Sequence, residues 1–165
     1  MIKTKRCILR NFIDQDSTII HRYKNDLRCS RYQRYKDTTM KGIQKYIEVH
    51  KNDILFSYQY HQCYAIALHD NQIIGDITIF INPMDQCVTL GCSIDYEYQR
   101  MGFAYEVLVE VVGKLQINYP KYEMVTLVLK ENIASRALVE KLGYQYHKYS
   151  EKMESIIYVI EAKQS

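Results

Sequence analysis

The sequence predicts an α/β fold, a mixed sheet with helices packed on both faces. Three observations carry this. Two β-like runs, residues 88–94 and 125–129, are each followed within a few residues by an apolar pattern of helical period. Two further helical patterns precede the strand-rich middle of the chain, near residues 16–25 and 39–50. The tail, residues 144–162, alternates enough to be two strands in a hairpin.

In chain order, residues 3–10 read as a strand. Asp14 or Asp16 can cap a helix running to about residue 25, and a basic turn follows. Thr38 or Thr39 starts a second helix, with Ile43, Tyr46, Ile47 and His50 near helical spacing. Residues 63–68 are a strand, and His69-Asp70-Asn71-Gln72 is a turn by composition. Residues 73–81 form the next strand, which Asn82-Pro83-Met84-Asp85 turns back into residues 87–94. A helix over residues 103–118 places Val107, Leu108, Val111, Val112 and Leu115 on one face, and Pro120 ends it. Residues 123–129 are a strand. Asn132 then caps a helix that runs to about residue 142, with Gly143 placed just past its end. Ser150-Glu151-Lys152 lies near the turn of the final hairpin.

Composition bounds the function. A chain of 165 residues, 47% apolar, suggests one domain over residues 1–165 with a sizeable core. With two prolines and six glycines there is no evident linker, and no repeat is visible. Residues 1–10 lack the apolar core of a signal peptide, and no apolar run is long enough to span a bilayer, so a cytoplasmic protein is expected. The five cysteines are odd in number and contain no Cys-x-x-Cys pair, which argues against a disulfide framework or structural zinc. The five histidines are scattered, and no metal is expected. A net charge of +3 is too small to imply nucleic-acid binding. Its distribution is uneven: Arg22, Lys24, Arg28, Arg31, Arg34, Lys36, Lys41 and Lys45 lie in one stretch with only Asp26 and Asp37. That stretch is either a solvated helix face or a positive lip that attracts an anionic partner.

The segment Gln99-Arg100-Met101-Gly102-Phe103-Ala104 joins a strand to a helix. A short loop with one glycine entering a helix aims several unpaired N–H groups at one point, where the positive end of the helix dipole also lies. The loop lacks the Gly-Lys-Ser/Thr ending that holds a triphosphate and its magnesium. The spacing is therefore read as an anion site made of backbone, or else as a strand-to-helix turn that needs a small residue.

These segments resemble those of the GCN5-related N-acetyltransferases, in the branch that includes the ribosomal-protein N-terminal acetyltransferases. The Gln-x-x-Gly-x-Ala loop resembles that family's pyrophosphate loop. The Asn132-x-x-Ser135 helix ending in Lys141-Leu142-Gly143-Tyr144 resembles its second cofactor segment, and Thr4-Lys5-Arg6-Cys7-Ile8-Leu9-Arg10 followed by Asp16 resembles its opening. The resemblance implies a central mixed, mostly antiparallel twisted sheet of about six or seven strands with about four helices on both faces. It implies acetyl-CoA as donor and a primary amine as acceptor, in a monomer or homodimer. A bulge in the strand before the loop would open a gap for pantetheine between residues 92–94, including Ile94, and residues 125–129. Gln99, Arg100, Met101, Gly102, Phe103 and Ala104 would hold the pyrophosphate, and a large side chain at Gly102 would block it by contact. Asn132 would touch the pantetheine arm, and Ser135 would protonate the departing sulfur.

Two positions depart from the family pattern. Thr89 stands where many members carry a glutamate base, and Val139 where many carry a tyrosine donor. Glu154, near the final hairpin, is a candidate base acting through water. An α-amine, with a pKa near 8, is about a tenth neutral at pH 7, against about one in a thousand for a lysine-like amine, so a weak supply of bases favours an α-amine acceptor. The alternatives are a polyamine or amine-antibiotic acetyltransferase, or a non-catalytic acyl-CoA-binding module; a nucleic-acid-binding protein is the most distant.

Overall fold

The computed structural model describes residues 1–58 and 61–163. Among the described residues eight strands form one sheet: β1 (Ile2–Lys3), β2 (Cys7–Arg10), β3 (Gln62–Leu68), β4 (Ile73–Asn82), β5 (Cys87–Ile94), β6 (Glu123–Val128), β7 (Gln145–Ser150) and β8 (Ser155–Ile160). Among the described residues five α-helices accompany them: α1 (Ser17–Asn25), the single-turn α2 (Leu27–Ser30), α3 (Met40–His50), α4 (Phe103–Asn118) and α5 (Ile133–Lys141). The sheet order is β1-β2-β3-β4-β5-β6-β8-β7. Every neighbouring pair is antiparallel except β5 and β6.

The mixed, mostly antiparallel sheet matches the predicted class, with local differences. The expected first strand over residues 3–10 is two strands, because Thr4 turns the chain: its N–H donates to Cys7 O and its hydroxyl accepts from Cys7 N. The extra helix is α2, whose N-terminus Asp26 caps by accepting from Arg28 N at 2.9 Å. Neither Asp14 nor Asp16 caps α1 through its side chain. Asp16 is buried and grips Arg10 with both oxygens, at 2.8 and 2.9 Å, and accepts from Ile13 N. Thr39 does cap α3, and Asn132 caps α5, with Gly143 at φ 96° ending it.

Strand alternation divides the core between the sheet's two faces. Cys63, Ala65 and Ile73 pack with Ile20, Tyr23, Ile43 and Ile47 of α1 and α3. Tyr64, Ile66, Ile77, Ile79, Val88 and Leu90 pack with Val107, Val111 and Leu115 of α4 and with Val139 and Tyr144. No helix among the described residues is long and apolar enough to cross a membrane.

Candidate active site

The site starts where the one parallel pairing fails. β5 and β6 share three rungs, Cys87↔Glu123, Val88↔Met124 and Thr89↔Val125, and then part. β6 stays in register with β8 from Met124↔Ile160 to Val128↔Ile156. β5 stays on β4 in continuous register from Asn82↔Cys87 to Gly75↔Ile94. The expected bulge in β5 is therefore not present; the gap opens because β5 follows β4 while β6 follows β8. At the apex the Thr126 hydroxyl donates to Leu90 O at 2.9 Å, ending the shared ladder.

The gap is a cavity of about 240 Å³. Its walls include Gly91 and Cys92 of β5, Thr126 to Val128 of β6, Leu108 and Val112 of α4, and Asn132, Ser135 and Val139 at α5. Tyr32, Gln33, Arg34 and Ser155 also line it. Burial pushes the Cys92 thiol up to about 12. It therefore stays protonated at neutral pH and is a poor nucleophile.

Below the gap, β5 runs through a turn at Tyr96–Tyr98 into the loop before α4. Arg100 and Gly102 both take left-handed backbone, at φ 61° and 83°. Within the described residues, the N–H groups of Arg100, Met101, Gly102, Phe103 and Ala104 have no acceptor. Alternating handedness of this kind curls successive amides into an anion-binding concavity at the helix's positive end. The left-handed residue Gly102 needs glycine for its backbone. A Cβ there would meet only Arg6 Nη2, at 3.4 Å. A side chain at this position is therefore strained by its backbone conformation, while Arg6 Nη2 stays at ordinary contact distance.

The predicted site residues fall into distinct roles. Gln99 is a strut: its side-chain amide donates to Ile94 O at 2.8 Å, and its backbone N–H to Tyr96 O. Ile94 is buried and receives that strut. Asn132 and Ser135 line the cavity, with Asn132 Oδ1 accepting from Ser135 N at 3.1 Å. Glu154 is exposed in the β7–β8 turn at φ 47° and does not line the cavity, whereas its neighbour Ser155 does.

Arg6 is a residue the sequence reading passed over. Its Nε and backbone N–H each donate to Glu106 at 2.7 Å, its Nη1 donates to Met101 O at 3.0 Å, and its guanidinium lies 4.2 Å from the Phe103 ring centre. Burial would raise the Glu106 carboxyl, but hydrogen bonds from Thr4 and Arg6 outweigh it and hold it below its ordinary range. Arg6 thus neutralises the one carboxylate in the first turn of α4 and fixes the loop from outside.

The basic stretch is less of a lip than its composition suggests. Lys24 is buried and pairs with Asp76 at 3.3 Å, and Tyr23 also donates to Asp76. Arg22 pairs with buried Asp95, and Arg28 with Asp26 at 2.6 Å. Asp76 and Asp95 lie on or beside the sheet, far outside the stretch, so the sequence count missed them. Arg34 is different: it lines the cavity, and its Nη2 donates to Met153 O at 2.5 Å.

Comparison with known proteins agrees with this geometry. A sequence model of the acetyltransferase (GNAT) domain matches residues 6–145. No curated protein matches significantly in sequence. A GNAT-family acetyltransferase from Bacillus anthracis superposes with a TM-score of 0.79 at 19% identity, covering 97% of each chain. RimL, a ribosomal-protein alpha-N-acetyltransferase in complex with coenzyme A, gives 0.78 at 14% identity over 96% of each chain. A variant of the spermidine N-acetyltransferase SpeG from Vibrio cholerae gives 0.69 at 15% identity, covering 93% of this chain and 91% of that one. At these identities the structures speak for the fold, while the domain match spans most of the chain: the protein belongs to the acetyltransferase (GNAT) family and is an N-acetyltransferase.

Proposed function

We propose that the chain transfers an acetyl group from acetyl-CoA to the α-amine of a peptide or protein N-terminus or of an amino-acid-like small molecule, in the manner of the ribosomal-protein branch. For the donor, the free amides of residues 100–104 suit a pyrophosphate, and the unpaired edges of β5 and β6 suit the amides of a pantetheine arm. Ile94 and Asn132 belong to that donor site. The protonated state of Cys92 favours direct attack by the amine over an acyl-cysteine route.

For the acceptor, one observation carries the reading. Among the described residues, the only charged side chain lining the cavity is Arg34, and no carboxylate lines it. The nearby Asp76 and Asp95 are neutralised by Lys24 and Arg22. A polyamine, with two or more positive charges, finds no anionic partner there, whereas an acceptor with an attached carboxylate or a peptide backbone does not need one. Ser135, half-buried at the wall, is proposed to return a proton to the departing sulfur from solvent, and Glu154 to act as a base through water. All five cysteines are free, as suits the cytoplasm.

The test is an amine panel followed by release of coenzyme A thiol. Short peptides and amino-acid amides should exceed spermidine in kcat/KM, and peptides with an acidic second residue should exceed those with a basic one. Arg34→Glu should reverse that order among peptides. Spermidine as the best acceptor, with an unchanged peptide order in Arg34→Glu, would refute the α-amine reading.

A further inference from the structure

Residues 31–39 join α2 to α3 without regular structure, and three of them, Tyr32, Gln33 and Arg34, line the cavity. Among the described residues, the backbone of residues 34–36 makes no hydrogen bond. Two side-chain bonds hold this stretch instead. Arg34 Nη2 donates to Met153 O in the β7–β8 turn, from an exposed side chain. The Tyr35 hydroxyl donates to Ser93 Oγ of β5 at 3.1 Å. Tyr35 itself does not line the cavity.

Three elements of the frame converge on Tyr35. The Lys24 ammonium of α1 lies 4.8 Å from its ring centre and 4.2 Å from that of Tyr46. A cation held against an aromatic face away from water is attracted to it. The same ammonium pairs with Asp76 of β4 at 3.3 Å, and Asp76 is the cross-strand partner of Ser93. The two strands approach closely beside this rung: a Cβ on Gly75 would meet Ser93 O at 2.2 Å. Burial pushes the Tyr35 phenol well above its ordinary range, so at neutral pH it keeps the proton it donates.

We propose that Tyr35 is a positioning residue for the acceptor: its bond to Ser93 fixes residues 32–34 against β5, and so fixes where Arg34 meets the acceptor's carboxylate. This rests on the α-amine reading above. A stretch with no backbone ladder is held only as well as its side-chain bonds hold it. Arg34 spends one N–H on Met153 O, and its guanidinium has others for a carboxylate. Tyr35 transfers no proton and acts through Arg34. Without its bond, Arg34 keeps only the tether to Met153, its charge is spread over more positions, and the acceptor is oriented less well.

The test uses the full chain with Tyr35→Phe, Ser93→Ala and the double variant. Each single change removes one hydroxyl and little packing, so melting temperatures should stay within a few degrees of wild type. Coenzyme A should bind every variant within about twofold of wild type by calorimetry. With peptide acceptors, kcat/KM should fall about 3- to 10-fold in either single variant, the range of one neutral hydrogen bond. It should fall no further in the double variant, because both changes break the same bond. The advantage of peptides with an acidic second residue over those with a basic one should shrink in all three. A role confined to stability would instead lower the melting temperature and leave that advantage as it was. An unchanged advantage, additive losses in the double variant, or a loss of coenzyme A affinity equal to the loss in kcat/KM would each overturn the proposal. If the wild type turns over spermidine best, with no preference among peptides, the α-amine reading fails and the carboxylate contact with it. Positioning by Tyr35 then stands if kcat/KM for spermidine falls in Tyr35→Phe with coenzyme A affinity intact, and is overturned if that turnover is unchanged.

Discussion

The two sides of the cleft are built from different materials. The proposed donor side, residues 99–104 and the open edges of β5 and β6, is backbone: a curl of free amides set by two left-handed residues and a sheet that splits. The proposed acceptor side, under α1 and the segment before α3, is side chains: Lys24 on Asp76, Arg22 on Asp95, Arg34 on the carbonyl of Met153. A backbone site tolerates most side-chain changes and fails when the backbone cannot take its shape. A side-chain site does the reverse.

The largest effect expected from that contrast is at Gly102. Gly102→Val forces a β-branched residue into φ 83°, so coenzyme A affinity should fall about 100-fold or more while the protein loses about 1–3 kcal/mol of stability. Calorimetry and thermal melts check both. Arg100→Gly makes the opposite point. It removes a charge yet relaxes φ 61°, so coenzyme A affinity should change by less than about threefold. A large loss there would mean that the Arg100 side chain, rather than the backbone, holds the anion.

On the acceptor side, Lys24→Met should destabilise the fold by about 3–5 kcal/mol, because it leaves Asp76 buried and unpaired. A denaturant melt measures it. The double variant Lys24→Met, Asp76→Asn should recover much of the loss. Thr126→Val should cost about 1–3 kcal/mol by leaving Leu90 O without its partner at the apex of the split.

The smallest effect concerns pH. The Glu106 carboxyl is depressed in the folded state, so its contribution to stability is present above the ordinary carboxylate range and is lost as pH falls through its lower folded value. Stability should therefore be flat with respect to this group around neutrality and decline in acid, with a weaker acid decline in Glu106→Gln. A decline centred near neutral pH that vanishes in Glu106→Gln would contradict the assignment.

The same contrast explains what was legible in the sequence. Gln99 to Ala104, the Asn132 cap and Gly143 announce themselves because turns and caps depend on residues a few positions apart. The eight-stranded sheet followed from alternation and turn residues, apart from the fold-back at Thr4, where one hydroxyl competes for the backbone. The side-chain structure was not legible. Arg6 meets Glu106, Lys24 meets Asp76, and Arg34 meets Met153 only after the sheet has brought distant segments together. The basic stretch is thinned for that reason: three of its eight charges pair with carboxylates at Asp26, Asp76 and Asp95, two of them outside the stretch. Tyr144 read as the residue after a helix stop, and only the folded chain shows its buried hydroxyl to lack a partner among the described residues.

The claim that backbone amides form the donor site is tested most directly by amide-proton NMR during a coenzyme A titration. The resonances of Arg100, Met101, Gly102, Phe103 and Ala104 should move downfield together and their solvent exchange should slow, in Arg100→Gly as in wild type. If coenzyme A binds while those amides keep their free positions and exchange rates, the loop is a turn and not the anion site.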